Sequence, residues 1–77
     1  MAEDYRVPSL DRAMAIFELL AAHPEGLGLA DIAATLKLPN NAVFRIGGAL
    51  VQKGYLLRDE QTKRFTLSRK LLAVPDA

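Results

Sequence analysis

Hydrophobic and polar positions repeat with helical spacing between residues 40 and 53, and this stretch predicts the helix on which the rest of the chain depends. Its apolar positions lie three and four residues apart and share one helical face: Val43, Ile46, Gly47 and Leu50. The positions half a turn away carry no hydrophobic side chain: Asn41, Arg45, Gly48 and Gln52. Asn40 is the predicted N-cap, and Gly54 is predicted to end the helix in a left-handed conformation. We therefore expect a helix with one buried side and one uncovered polar side.

A shorter helix is predicted just before it, from about Ala30 to Lys37. Its inward residues are expected to be Ile32, Ala33 and Leu36. The segment Leu38-Pro39-Asn40 is then expected to form a turn, because Pro39 cannot continue a helix. The length of this segment suits a helix-turn-helix. A short strand at Leu29 is expected to pair with strands later in the chain.

The first helix is predicted to begin with Ser9 as its N-cap and to continue to about His23. Its expected inward stripe is Leu10, Ala13, Met14, Phe17, Leu20 and Ala21, with Ile16 beside it. The far side carries three more apolar residues: Ala15, Leu19 and Ala22. A second apolar side suggests contact with another copy of the chain, although a scatter of small surface side chains explains the pattern nearly as well.

The residues after Gly54 predict a β-hairpin, with strands over 55–58 and 64–67 and a turn between them. Phe65 and Leu67 share one face of the second strand. Ser68 is the expected cap of a last helix over 69–74, cut short by the end of the sequence. The predicted fold class is mainly α (α+β): a three-helix bundle with a C-terminal β-hairpin wing, that is, a winged helix-turn-helix, followed by a truncated linker helix.

Composition limits the chemistry of the chain. Its 77 residues suit one domain, and they include no cysteine and one histidine, His23. No thiolate or multi-histidine metal site is therefore expected, and no carboxylate pair, nucleophile-base pair or phosphate loop stands out. We expect neither an enzyme nor a cofactor. No apolar run approaches membrane-spanning length and no signal peptide is visible, so the expected location is the cytoplasm.

The formal net charge of +1 conceals an uneven distribution along the chain. Residues 1–36 carry two arginines against six carboxylates, a net −4, whereas residues 37–70 carry eight cations against two carboxylates, a net +6. The basic half surrounds the helix over 40–53. Such an arrangement favours a surface that faces phosphates, and the alternative is a chance distribution over a solvated surface.

The polar side of that helix carries residue types that pair with base edges. Arginine pairs with guanine, and asparagine or glutamine pairs with adenine, in the major groove of DNA. The alternative is an ordinary solvent-exposed face, which often carries the same residues. Lys63 and Arg64, near the tip of the predicted wing, are placed to contact phosphate or the minor groove.

The assembled pattern resembles the N-terminal domain of IclR-family bacterial transcription regulators. The resemblance covers about residues 7–74 and rests on a Ser-x-x-Arg opening of the first helix, Leu-Pro before the third, Lys-Gly-Tyr-Leu leading into the wing, and FTLSRKLL after it. It implies a winged helix-turn-helix over 8–68, a flexible arm over 1–7, and over 69–77 the start of a linker helix to an effector-binding domain that this sequence lacks.

The resemblance also implies the partners of the protein. We expect a homodimer that binds a palindromic operator of double-stranded DNA and does not associate with a membrane. Any small-molecule effector is expected to bind only through the absent domain. It places Asn41, Ala42 and Arg45 at reading positions and Arg12 at a phosphate or scaffold contact. The candidate DNA-binding residues are Asn40, Asn41, Ala42, Arg45, Gln52, Arg12, Lys63 and Arg64.

The sequence departs from the family pattern at several positions of the third helix. Asn41 and Ala42 replace the usual hydroxyl residues, Phe44 stands where a small or polar residue is common, and Gly47 replaces a large apolar residue. Gly47 and Gly48 together cost about 2 kcal/mol of helix propensity relative to alanine. We expect them either to allow close approach, of Gly47 to the first or second helix and of Gly48 to DNA, or simply to weaken the helix.

Two functions remain open from the sequence. The first is sequence-specific DNA binding by a domain of a transcription regulator. The second is a winged-helix protein-interaction module, with a contact surface formed by Phe44 and the outer side of the first helix: Ala15, Leu19 and Ala22. The fold alone does not decide between them.

Overall fold

The computed structural model describes residues 5–72, with side chains described to residue 70. It contains helices α1 (Pro8–Ala21), α2 (Leu29–Leu36), α3 (Asn40–Gln52) and α4 (Arg69–Leu72), and strands β1 (Leu27–Gly28), β2 (Leu56–Arg58) and β3 (Arg64–Leu67). The strands form an antiparallel sheet in the order β1-β3-β2. The predicted winged helix-turn-helix is confirmed, with α2 and α3 as the helix pair and β2 and β3 as the wing.

The core lies where the first three helices meet the sheet. Its buried side chains come from α1, α2, α3 and both wing strands: Ile16, Leu20, Ile32, Ala33, Val43, Leu56 and Phe65. The predicted inward faces of α2 and α3 are confirmed, since Ile32, Ala33, Val43 and Gly47 are buried. Because the wing supplies Leu56 and Phe65, it packs as part of the domain and does not merely extend from it.

Helix α1 differs from its prediction in its start and in its buried face. Val7 is the N-cap and Pro8 lies in the first turn, so Ser9 is inside the helix; proline suits this position because the first N–H groups have no helical partner. Ile16 and Leu20 are the buried residues, whereas Leu10 and Met14 are 55% and 47% exposed. The predicted stripe was therefore rotated, because a helix with so many apolar residues does not specify which of them faces its neighbours.

The apolar far side predicted for α1 is also wrong in part. Leu19 packs against the core and Ala15 is half-buried, while Ala22 is exposed. The large apolar side chains left uncovered at this end of the described chain are instead Tyr5, Val7, Leu10 and Met14.

The predicted strand at Leu29 is displaced by one to two residues. Leu27 and Gly28 pair with Phe65 and Arg64 of β3, and Leu29 already begins α2. Gly26 turns the chain into this strand with a φ of +88°. A Cβ atom there would lie 2.8 Å from Thr66 Cγ2 and 2.9 Å from the Phe65 carbonyl oxygen, so only glycine lets β1 lie this close to β3.

Helix α3 ends as predicted but does not begin as predicted. Pro39 is the N-cap, no side chain caps the helix, and Asn40 is already its first residue. At the other end Gly54 has a φ of +86°, the Gly54 N–H donates to the Val51 carbonyl, and the Tyr55 N–H donates to the Leu50 carbonyl. This is the hydrogen-bond pattern of a Schellman motif, and it aims the chain into β2.

The two neighbouring glycines of α3 have different surroundings. A Cβ on Gly47 would lie 3.4 Å from the Phe65 ring of the wing, whereas a Cβ on Gly48 would meet no other atom within 4 Å. Gly47 therefore allows close approach of the wing, and not of the first or second helix as predicted. The wing aromatic Phe65 fills the space that a large residue at position 47 would occupy.

The predicted cap of α4 is confirmed. The Ser68 hydroxyl accepts from the Lys70 N–H and donates to the Gly54 carbonyl, and its side chain is buried. Lys70 Nζ also donates to the Lys53 carbonyl at 2.9 Å and lies over the Tyr55 ring. Hydrogen bonds thus connect the start of α4 to the residues that follow α3. The predicted end of this helix at Val74 and most of the predicted arm, residues 1–4, lie outside the described residues.

Candidate nucleic-acid interface

The polar face of α3 is uncovered. Asn41, Arg45, Gly48 and Gln52 are all exposed, while Val43 and Gly47 on the opposite side are buried. Burial of the apolar side against α2 and the wing leaves an amide, a guanidinium and a glycine on the surface within about two turns. These groups can donate and accept the hydrogen bonds that base edges offer.

A groove of about 400 Å³ lies between α1 and α3 and brings two predicted residues together. Arg12 from α1 and Arg45 from α3 both line it, with Ala42 between them on the α3 side. Both arginines are exposed. Two guanidinium groups beside a small residue suit an anion such as a backbone phosphate.

The wing presents Lys63 and Arg64, both exposed, at the point where the turn enters β3. Asp59 orders this turn, since its carboxylate accepts from the Gln61 N–H at 2.8 Å and the Thr62 N–H at 3.0 Å. These backbone hydrogen bonds, that from Thr62 first, hold the pKa of Asp59 below its ordinary value of 3.8. The carboxylate is therefore ionised at neutral pH and keeps the wing tip in place.

The predicted residues do not form one cluster. Asn40, Asn41, Ala42 and Arg45 lie in the first turns of α3, and Arg12 lies near them across the groove. Gln52 is eleven residues beyond Asn41, roughly 16 Å along the helix axis at 1.5 Å per residue. Lys63 and Arg64 belong to the wing. The surface thus offers two separate groups of polar side chains, one at the N-terminal end of α3 and one on the wing.

Arg58 was missing from the sequence-based candidates. It ends β2 opposite Phe65, and its guanidinium lies 5.6 Å from the centre of the Phe65 ring. It faces Phe44 and Gly48 across a second groove, between α3 and the wing. Directly opposed residues of a hairpin share one face, so the pairing of Arg58 with Phe65 places Arg58 on the face of the sheet that carries Phe65. The sequence did not give this pairing, because it did not fix the register of the two strands.

Metal-ligand clusters and membrane-spanning helices are not found in the part of the chain that the structure describes. Residues 5–72 contain no group of three potential metal-ligating side chains, and no helix in that range is long and apolar enough to cross a bilayer. The histidine, His23, lies 3.3 Å from the Glu25 carboxylate. A hydrogen bond from its own backbone N–H and the one to His23 lower the pKa of Glu25. This pair lies in the loop between α1, which ends at Ala21, and β1.

Comparison with known families gives one match that covers most of the domain. The model of the IclR helix-turn-helix domain matches residues 9–60, more than half of the chain. The chain belongs to the IclR helix-turn-helix family. The match begins in α1 and extends into the wing turn, so it includes all of α3 and every residue that lines the groove between α1 and α3.

Two individual relatives are regulatory proteins. The chain is 38% identical over 66 residues to a glycerol operon regulatory protein of Streptomyces coelicolor, covering 86% of this chain and 26% of that protein. The protein of the same name from Streptomyces griseus is 37% identical over 68 residues, covering 88% of this chain and 27% of its own length. The chain thus spans about a quarter of these relatives.

Solved structures share the fold. An IclR transcriptional regulator from Alicyclobacillus acidocaldarius superposes with a TM-score of 0.84 at 28% identity, over 88% of this chain and 28% of that one. An IclR-family transcriptional regulator from Brucella abortus gives a TM-score of 0.79 at 29% identity, over 94% of this chain and 28% of that one. The predicted family and fold are therefore confirmed.

Proposed function

We propose that this chain binds duplex DNA in a sequence-dependent way, as the DNA-binding part of a cytoplasmic transcription regulator. Helix α3 enters the major groove and the wing contacts the backbone. The observation that carries the proposal is the uncovered polar face at the start of α3, where Asn41 and Arg45 are exposed beside Ala42. A helix that lies in the groove reads bases chiefly through its first turns.

Each candidate residue has a role set by its position. Arg45 pairs with guanine and Asn41 with adenine, while Ala42 allows the helix to come close. Arg12 and Asn40, at the rim of the same end, contact phosphates. Gln52 lies too far along α3 to read the same base pairs and contacts the flanking backbone. The wing cations Lys63 and Arg64 contact phosphate or the minor groove.

In the larger regulator, two copies of the domain bind the two halves of a palindromic operator. The uncovered apolar side chains Val7, Leu10 and Met14 at the start of α1 suit a contact with the second copy. In that regulator the effector-binding domain follows this domain in the chain, and it binds any small molecule.

The direct test is selection of duplexes from a random pool by the whole chain, followed by binding measurements on the winners. We expect a shared half-site to be enriched, and an inverted repeat of it if two copies bind together. The double variant Asn41→Ala, Arg45→Ala should enrich no such half-site, while Arg69→Ala, an exposed cation on α4, should select the wild-type sequence. A wild-type pool as diverse after selection as before it would refute the proposal.

A second function, protein interaction without DNA, is favoured by one observation. Phe44 is 60% exposed on α3, and Leu10 and Met14 are exposed on α1. This surface differs from the predicted one, because Leu19 is covered and Leu10 is not. An interaction module of this kind would show no affinity for any duplex at low salt, which separates it from the first function.

A further inference from the structure

A large aromatic side chain lies exposed on the proposed reading helix. Phe44 is 60% exposed, whereas the large apolar residues on the opposite side of α3, Val43, Ile46 and Leu50, are buried or half-buried. Phe44 is three residues after Asn41 and next to Arg45, so its side chain leaves the helix at the edge of the reading face, on the side of the wing. No contact within the core explains a phenylalanine here.

Phe44 forms one wall of a groove of about 260 Å³ between α3 and the wing. Its other lining residues are Gly48, Val51, Arg58, Glu60 and Phe65. The side chains of Val51 and Phe65 pack into the domain and so give the groove an apolar floor. The groove lies directly beside the face that carries Asn41 and Arg45, so it is continuous with the proposed interface.

Gly48 keeps this groove open. It lies inside a helix with no positive φ, and a Cβ there would meet no atom of the protein within 4 Å. Neither backbone conformation nor internal packing therefore requires glycine, although glycine weakens the helix. Any larger side chain at this position would fill the space beside Phe44.

The charges around the groove suit a nucleic acid. Arg58 lies on its wing side, held over the Phe65 ring. Glu60 is also on the rim, but its carboxylate lies 3.7 Å from Lys63 Nζ, which offsets its repulsion of phosphates. The apolar floor of the groove suits a methyl group on the edge of a base, and the Arg58 cation at its rim suits the neighbouring phosphate.

We propose that Phe44 and Gly48 form a specificity site for the C5-methyl group of thymine, with Arg58 on the adjacent phosphate. The thymine methyl is the apolar group that a base pair presents in the major groove, and aromatic side chains recognise it by contact. This inference rests on the proposed function, since it assigns one more base-reading element to the same helix.

The test uses the whole chain and a duplex selected by it, in which each thymine is replaced in turn by deoxyuridine. This replacement removes only the methyl group. At one thymine per half-site we expect the wild type to lose about 3- to 5-fold in affinity, as burial of one methyl group predicts. Phe44→Ala should bind the thymine and deoxyuridine duplexes equally, and both about as tightly as the wild type binds deoxyuridine.

Leu57→Ala is the matched control. Leu57 is 56% exposed on β2, but it does not line the Phe44 groove. It lines a different groove, together with Glu25 and Thr66. This variant should keep the wild-type preference for thymine. Because Phe44 is exposed, Phe44→Ala should also unfold at the wild-type temperature, so a changed preference would not reflect misfolding.

Several results would overturn the site. It fails if the wild type binds every deoxyuridine duplex as tightly as its thymine parent, if the selected half-site has no fixed thymine, or if Phe44→Ala keeps the wild-type ratio. It also fails if Phe44→Ala alters only self-association, which would make Phe44 a protein contact. If neither the wild type nor any variant binds any duplex, the proposed function fails as well. That result differs from DNA binding without a preference for the thymine methyl group, which would overturn the Phe44 site alone.

Discussion

At the scale of single residues, Gly48 combines a cost in stability with an open surface. Alanine at this position meets no other atom and gains about 1 kcal/mol of helix propensity. We therefore expect Gly48→Ala to raise the melting temperature by about 4–8 °C for a domain of this size, measured by circular dichroism.

Gly26→Ala is the opposite control for Gly48→Ala. Its Cβ would lie under 3.0 Å from Thr66 and from the backbone of Phe65, at a φ of +88°. We expect its melting temperature to fall. An unchanged or lowered melting temperature for Gly48→Ala would show that the low helix propensity of glycine at position 48 does not limit the stability of the domain.

Arg45 and Lys63 should differ in the kind of binding that they support. Arg45 is exposed on the polar face of α3 that we propose to read bases, so Arg45→Ala should cost about 1–3 kcal/mol on the selected operator and reduce the preference among its base variants. Lys63 belongs to the wing, so Lys63→Ala should weaken all duplexes alike. Titration of operator and scrambled duplexes with each variant measures both effects. If Arg45→Ala keeps the wild-type ratio between the two duplexes, Arg45 does not read bases.

At the scale of elements, a buried hydroxyl group makes two of the hydrogen bonds at the junction between α3 and α4. Ser68 is 5% exposed and joins the Gly54 carbonyl to the Lys70 N–H. Removing it leaves the Gly54 carbonyl and the Lys70 N–H, both in partly buried hydrogen bonds, without this partner, so Ser68→Ala should lower the free energy of unfolding by about 1–2 kcal/mol. Urea denaturation measures the change.

Thr35→Ala provides the comparison for Ser68→Ala. Thr35 is exposed within α2, and replacing it with alanine should leave stability unchanged or slightly higher, because alanine favours helix. Equal midpoints for the two variants would mean that the Ser68 hydroxyl does not fasten α4 to α3.

The elements differ in how far the sequence determined them. Helix α3 has a clear apolar stripe and a glycine at its end, so its faces and its C-terminus were predictable. Helix α1 is apolar on several sides, and only packing against α2, α3 and β3 selects Ile16 and Leu20 as its buried residues. The start of α3 was misplaced because Asn40 is a good capping residue, whereas the chain uses the extended backbone of Pro39.

The candidate site was predictable only in part, for a related reason. Periodicity within one helix places Asn41 and Arg45 on the polar side. It gives no distance between helices, so the meeting of Arg12 with Arg45 in one groove required the packed structure. The Phe44 groove is similar, since it depends on how closely the wing packs against Gly47.

At the scale of the whole molecule, the charge distribution predicts how binding depends on salt. Helix α3 and the wing both lie within residues 37–70, which carry a net charge of +6. If Arg12, Arg58, Lys63 and Arg64 each neutralise one phosphate, the logarithm of the affinity should fall with the logarithm of salt concentration with a slope of about −3 to −4 per domain.

The variants give this prediction its control. Lys63→Ala should reduce the magnitude of the slope by about 1, because one counterion fewer is released. Lys37→Ala should leave it unchanged, because Lys37 lies at the end of α2, outside the cations assigned to phosphate contacts. The measurement is a series of operator titrations between low and moderate salt. A slope near zero would mean that the basic half does not face the DNA, even if the chain binds it.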